Sequence, residues 1–182
     1  MEFLIQILLG ALFGGSITVT DRIVEHGWIQ NKFWKHLFAY ISIFISIATI
    51  GIISQYYQEL IPFLIGMNLY WVFSNKLDTP EFVFYIFSIG IIFGQKISLN
   101  IEMLSGILFT IFLFYFFRIP NIKKWIQKKD KGDILYKYMW RFYLIWILYW
   151  FIFHEPSIFF FNSASILMSF IIAKKYQSKK TL

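Results

Sequence analysis

Residues 3–19, FLIQILLGALFGGSITV, and residues 37–53, LFAYISIFISIATIGII, run without a single charged side chain. A helix crossing a bilayer needs about 20 mostly apolar residues, with a range of roughly 17 to 25. Its backbone must satisfy every N–H and C=O internally, because lipid offers no partners. Apolar residues occupy all faces of both segments, whereas a helix lying on a water-soluble core shows one apolar stripe. Working outward, five shorter runs follow at residues 60–73, 82–93, 103–117, 139–153 and 158–173. Flanking Tyr, Trp, Lys and Gln side chains that snorkel would carry these runs to the interfaces. The expected fold class is therefore all-α: a polytopic integral membrane bundle of about seven helices, forming one transmembrane domain over residues 1–182.

Composition points the same way. Of 182 residues 58% are hydrophobic, 23% aromatic and 15% charged, against about 45–50% apolar and roughly 25% charged in a soluble domain. So little charge cannot cover a water-facing surface, and it also excludes intrinsic disorder. The absence of Cys excludes a disulfide-stapled secreted domain, thiolate metal sites and cysteine nucleophiles. No Lys or Arg precedes Arg22 and no small-residue cleavage site follows the first apolar run, so that run reads as a span and not as a cleaved signal peptide.

Orientation follows from the cations. The first loop, the third loop, the fifth loop together with the adjoining Arg141, and the tail hold 3, 1, 8 and 4 Lys or Arg residues, 16 in all, against 1 (Lys96) on the opposite side. Cytoplasmic loops carry such an excess, which places the N-terminus outside and the C-terminus in the cytosol, and calls for an odd number of spans. Five spans plus a re-entrant hairpin around residues 75–81 keep the same parity. That arrangement would put Asn75, Lys76, Asp78 and Glu81 at membrane depth, where ionisable groups are expensive. The expected location is a cell's inner or plasma membrane, with an organelle membrane as the alternative.

Between the fifth and sixth spans, residues 118–138 form the expected cytosolic basic loop. Pro120 suits a first helical turn. Ile122, Trp125 and Ile126 fall on one face with Lys123, Lys124, Lys128 and Lys129 around the other, the pattern of an amphipathic interfacial helix. Its partners would be anionic lipid headgroups, each Lys contributing about 1 kcal/mol near a charged leaflet. Topology already accounts for the net charge of +7, so no nucleic-acid partner is expected. Gly10, Gly14 and Gly15, with Ala11 and Ser16, give the first span a small-residue face for close helix packing, within the chain or in an oligomer.

The polar residues with chemical potential sit at the cytosolic surface. The first loop brings Asp21, Arg22, Glu25, His26, Lys32 and His36; the third brings Asn75, Lys76, Asp78 and Glu81. Asp21 and Glu25 are spaced i, i+4, so both carboxylates share a face if the first helix continues. Carboxylates that hold Mg²⁺ beside cations that hold phosphate oxygens are what a phosphorylated lipid or isoprenoid headgroup enzyme requires. On this expectation Asp21, Glu25 and Asp78 ligate Mg²⁺, Arg22, Lys32 and Lys76 bind phosphate, and His26 or His36 is the acid or base. Size and orientation resemble those of the glycerol-phosphate acyltransferases, whose glycine-rich loops are absent here. The glycine and alanine-arginine positions of the CDP-alcohol phosphotransferases, HExxH and GxSxG are missing as well.

Two other functions fit the sequence. A small-solute channel or facilitative transporter would use Asn68, the one amide near the middle of a span, with Trp71 one turn on. An Asn in a span more often bonds a neighbouring helix, and no Asp, Glu, His or Lys lies at depth as in a proton-coupled carrier. A three-plus-one-plus-three plan, as in small sugar or vitamin carriers, fits seven spans, but the halves share no motif. An accessory or structural subunit of a larger membrane complex would explain aromatics on every face. Outside, His154, Glu155 and Pro156 form the turn before the last span, read here as a polar hairpin tip.

Overall fold

The computed structural model describes residues 2–74, 79–94, 100–116 and 134–180, with side chains omitted at 134–143 and 173–180. All regular structure among the described residues is helical. The helices are α1 (Glu2–Val24), α2 (Lys32–Tyr56), α3 (Ile61–Phe73, entered through a 3-10 turn at Gln58–Leu60), α4 (Pro80–Gly94), α5 (Ile101–Phe116), α6 (Ile134–Phe153) and α7 (Pro156–Lys180). Two of them, α1 and α2, are long and apolar enough to cross a membrane; α4, α5 and the described parts of α6 and α7 are shorter apolar helices.

Among the described residues each apolar run lies within a helix or a helix and its entry turn, residue 117 of the fifth run lying outside them, but several helices outlast the run. α1 continues past Val19 through Asp21 and Arg22 to Val24, because the hydrogen bonds of a helix are made by its backbone and do not require apolar side chains. α7 continues past Ala173 to Lys180. α6 starts at Ile134 and not at Met139, so the last five residues of the expected 118–138 loop are helical. The expected interfacial helix, with Lys123, Lys124, Lys128 and Lys129, lies outside the described residues.

The chain divides into two compact units. The first comprises residues 1–58, 77–97 and 160–182. Here α1 and α2 form an antiparallel pair whose seam has Leu9, Phe13, Ser16, Thr20 and Ile23 facing Ala39, Ile43, Ser46, Ile50 and Ile53, all buried. Steps of three and four residues put each set on one side of its helix. Ser16 Oγ and Ser46 Oγ meet across the seam at 2.6 Å. Other hydroxyls bond back into their own helices, Thr20 to Ser16 O and Thr49 to Ile45 O, which satisfies them without water.

α7 runs parallel to α1. Phe3 meets Phe160, Phe13 meets Phe161 and Thr18 Oγ1 donates to Ser169 Oγ at 2.8 Å. The glycines make this approach possible: a Cβ at Gly10 would stand 2.0 Å from Phe161 O, and one at Gly14 2.2 Å from Ser165 O. The small-residue face expected from the sequence is thus used within the chain. α4 runs parallel to α2, with Phe84 edge-on to both Tyr40 and Phe44.

The second unit comprises residues 59–76 and 98–159. α3 and α5 are parallel, Gly66 lying against Thr110 and Ile107, and Gly106 against Pro62. Tyr70 stacks on Phe114 at 4.9 Å. α6 returns antiparallel, placing the fully buried Tyr149 against Phe63 and Phe109. In both units hydroxyl and amide side chains share the apolar core, with Ser42, Ser46, Thr49, Asn68, Thr110 and Asn162 buried, while the large apolar side chains Leu4, Phe44, Phe87, Leu108, Phe112 and Phe151 are exposed.

Candidate functional site

The turn between α1 and α2 is built by two helix ends. Glu25 N–H still donates to Asp21 O at 2.9 Å, so the helical pattern holds one residue past Val24. The chain then reverses at Gly27, whose φ of +64° is open to glycine and strained for other residues. Trp28 N–H closes the turn on Arg22 O at 3.1 Å. Asn31 is the N-cap of α2; its Oδ1 accepts from Phe33 N at 3.0 Å and Trp34 N at 3.3 Å.

This geometry gathers three of the expected residues. One ligand atom from each of Asp21, Glu25 and His26 lies within 4.8 Å of the others. Asp21 Oδ2 is 3.8 Å from His26 Nε2 and 3.9 Å from Arg22 Nε. Such half-exposed pairs contribute only about 0–1 kcal/mol to stability, so the cluster is not needed to hold the turn. Lys32 opens α2 at the same end and is exposed.

His36 is placed elsewhere. Its Nδ1 lies 2.6 Å from Oε1 of Glu81, at the second position of α4. His36 is 43% exposed, whereas Glu81 is 1% exposed. The N-terminal turn of α4 favours a carboxylate through the helix dipole. The second carboxylate oxygen, Glu81 Oε2, is buried without a partner among the described residues, and so is Thr79 Oγ1 two residues earlier. Sequence reasoning placed Glu81 in the third loop but gave it no role. The signal was an acidic residue directly after Pro80 at the start of an apolar helix. Lys76 and Asp78, expected to bind phosphate and Mg²⁺, lie outside the described residues, as does Asn75.

Asn68 and Trp71 belong to the second unit. Asn68 is buried, and its Nδ2 donates to Leu64 O of its own helix at 2.7 Å. Among the described residues the amide makes no bond to a neighbouring helix, the i−4 carbonyl being within its reach. Asn68 Oδ1 is buried with no partner among the described residues. At the turn before α7, His154 has φ +54°. Burial first, then the Glu59 and Glu102 carboxylates, raise the Glu155 carboxyl above its ordinary range. No protein-family model matches this chain, and neither does any curated protein or any solved structure.

Proposed function

We propose that this chain is a seven-span integral membrane protein, N-terminus outside and C-terminus cytosolic, and that it acts on phosphorylated lipid or isoprenoid headgroups at the cytosolic face. Several features support the membrane reading. At about 1.5 Å per residue, α1 and α2, with 23 and 25 residues, exceed the roughly 30 Å hydrocarbon core. The exposed Leu, Ile and Phe side chains on both units suit lipid better than water. Helix directions within each unit also agree with strict alternation: α1 with α7, α2 with α4, and α3 with α5 are parallel, while α1 with α2 and α5 with α6 are antiparallel.

The His36–Glu81 contact favours seven spans over the hairpin. His36 lies in the second turn of α2, and the helix runs on for 20 residues to Tyr56, or about 30 Å. Glu81 is thus about a bilayer's thickness from the C-terminal end of α2, which supports a return of the chain to the inner face before α4.

The observation that carries the enzymatic reading is the convergence of Asp21, Glu25 and His26 beside Arg22 at the inner end of α1. Ligand atoms about 2.0–2.1 Å from one octahedral Mg²⁺ are roughly 3–4 Å apart. The 4.8 Å spread is closed by small rotations of these partly exposed side chains, and two carboxylates are the hard donors that Mg²⁺ takes. When bound, the ion would neutralise charge on a phosphate held there. Arg22 and Lys32 supply N–H donors to phosphate oxygens, Arg22 with a planar fork.

The test uses the full chain in nanodiscs, with Mg²⁺-dependent turnover read on phospholipid and polyprenyl phosphates. Asp21→Ala and Glu25→Ala should each lower kcat/KM at least tenfold and raise the Mg²⁺ concentration needed for half activity. Wild-type turnover in both variants refutes the assignment. One observation favours a second reading: the buried, unpartnered Asn68 Oδ1 is a ready acceptor for a small neutral solute passing along α3. That facilitator reading requires Asn68→Leu to lower solute flux in proteoliposomes.

A further inference from the structure

We infer that the end of the second unit formed by Glu59, Glu102 and Glu155, with the Tyr149 hydroxyl beneath them, is a binding site for an organic ammonium group. The inference concerns the second unit alone and does not rest on the headgroup-enzyme reading. Helix register brings the three carboxylates to one end. Pro62 of α3 lies against Gly106 of α5. Glu59 and Glu102 stand three and four residues before them, about one turn nearer the same helix ends. α6 arrives antiparallel, Phe153 edge-on to Phe109 at 5.9 Å, and Glu155 follows two residues later. Glu59 and Glu155 are half-buried and Glu102 is exposed. Burial, then the Glu59 and Glu102 carboxylates, raise the Glu155 carboxyl, so the three groups act on one another. Like charges repel, and residues 57–75, 98–117 and 142–159 hold no Lys or Arg to offset them.

Tyr149 is a second, independent observation at the same place. Its side chain is 1% exposed, and its hydroxyl has no hydrogen-bond partner among the described residues. Gly106 leaves the room that the hydroxyl occupies, since a Cβ there would stand 2.7 Å from Tyr149 Oη. The hydroxyl therefore lies about one turn below Glu102, within electrostatic reach of Glu155 and Glu102. Carboxylates and a phenol oxygen are all acceptors, and an ammonium group is all donor. A bare metal ion needs its oxygen ligands within a few ångströms of one another. Among the described residues, that closeness is found at Asp21, Glu25 and His26, within 4.8 Å, and not here. More widely set acceptors suit an ammonium, whose N–H groups reach oxygens about 2.8 Å away. The rings of Phe109, Tyr149 and Phe153, in mutual contact, offer aromatic surface to its carbon substituents. On the proposed topology this end faces outward, where Glu2, Glu59, Glu102 and Glu155 stand against Lys96 alone, a field that draws cations in.

The test uses the full chain in phosphatidylglycerol nanodiscs, whose lipid carries no amine. Propylammonium chloride is titrated in and the unfolding temperature is followed. Saturable stabilisation is expected, exceeding that from sodium chloride at the same concentration. An equal response to sodium chloride means that screening alone relieves the three charges, and it overturns the inference without any variant having to fold. Glu102→Gln and Glu155→Gln should each raise the half-saturating concentration about tenfold or more, and Tyr149→Phe about twofold to tenfold. Glu2→Gln, an acid of the first unit, should leave it unchanged. Wild-type saturation in both Glu102→Gln and Glu155→Gln refutes the site. A Ca²⁺-induced shift that Glu102→Gln abolishes refutes the ammonium class. Replacing part of the lipid with phosphatidylethanolamine identifies the source: competition with propylammonium assigns the site to a lipid amine, and undiminished propylammonium binding assigns it to a soluble one.

Discussion

Alanine at Gly10 or Gly14 should loosen the seam between α1 and α7, and alanine at Gly15, one residue further, should not. A Cβ at Gly10 would stand 2.0 Å from Phe161 O, about 1.4 Å short of the 3.4 Å at which ordinary contact begins; at Gly14 it would stand 2.2 Å from Ser165 O. Both obstacles are helical backbone and cannot rotate away. The helices must separate, which also stretches the bonds from Thr18 to Ser169 and from Ser169 to Gly14 O across the same seam. Overpacking typically destabilises by about 1–3 kcal/mol, and each lost interhelical bond in a membrane by about 0.6. Alanine's better helix propensity returns about 1 kcal/mol. The net loss at Gly10 or Gly14 is then about 1–3 kcal/mol. At Gly15 the nearest atom is Met168 Cγ at 3.1 Å, a flexible thioether stem that can move aside, so the change there should lie near zero. Equilibrium unfolding by SDS in mixed micelles reads these differences directly. If Gly10→Ala and Gly14→Ala unfold no earlier than Gly15→Ala, the seam is not the close-packed contact described. A loss that varied with protein concentration would move it to an oligomer.

Asn31→Ala removes the two capping bonds at the start of α2 and should destabilise by about 1 kcal/mol, read in the same unfolding assay; Asn31→Asp should be close to neutral. Because burial and the neighbouring Glu59 and Glu102 raise the Glu155 carboxyl, its folded-state affinity for a proton exceeds that of the unfolded chain. Its stabilising contribution is complete below the unfolded value and is lost as pH rises through the folded one. Glu155→Gln should therefore raise thermal stability at neutral pH and flatten its decline between acid and neutral pH, as a melting series against pH will show. The natural chain has no Cys, so single cysteines report topology without background. A thiol at position 2 should react with an impermeant reagent from outside, and thiols at positions 79 and 178 only after the membrane is opened.

The sequence disclosed helices where apolar runs are long, and the glycine face of α1 where close packing needs room. It did not disclose helix ends. The hydropathy of α1 stops at Val19, but its hydrogen bonding passes through Asp21 to Glu25, which is what brings Asp21, Glu25 and His26 together. The i, i+4 spacing anticipated that gathering. The pairing of His36 with Glu81 was out of reach, since the two residues are 45 positions apart and meet only because α2 and α4 pack in parallel. Asn68 shows the opposite failure: a polar side chain in an apolar helix suggested a tie to a neighbour, and its own backbone offered a nearer acceptor.

The charge count and the packing directions bear on topology independently, since one uses Lys and Arg in the connecting segments and the other uses contacts between helix interiors. Both favour the same parity. Charge alone leaves the hairpin open, because moving Lys76 to the other side would still leave a strong excess. Packing direction alone leaves it open too, because a re-entrant hairpin leaves the directions of the helices after it unchanged. What separates the alternatives is height along α2. An acidic residue at the turn of a re-entrant hairpin would meet α2 near Phe44 or Ile45, halfway along, yet Glu81 meets it at His36. The next contact of α4, Phe84 against Tyr40 and Phe44, lies further toward the C-terminal end of α2, so α4 runs beside α2 from its N-terminal end. On the proposed topology a histidine–carboxylate pair at that level would stand where a headgroup lies, while the same pair at mid-depth would have argued for a pore.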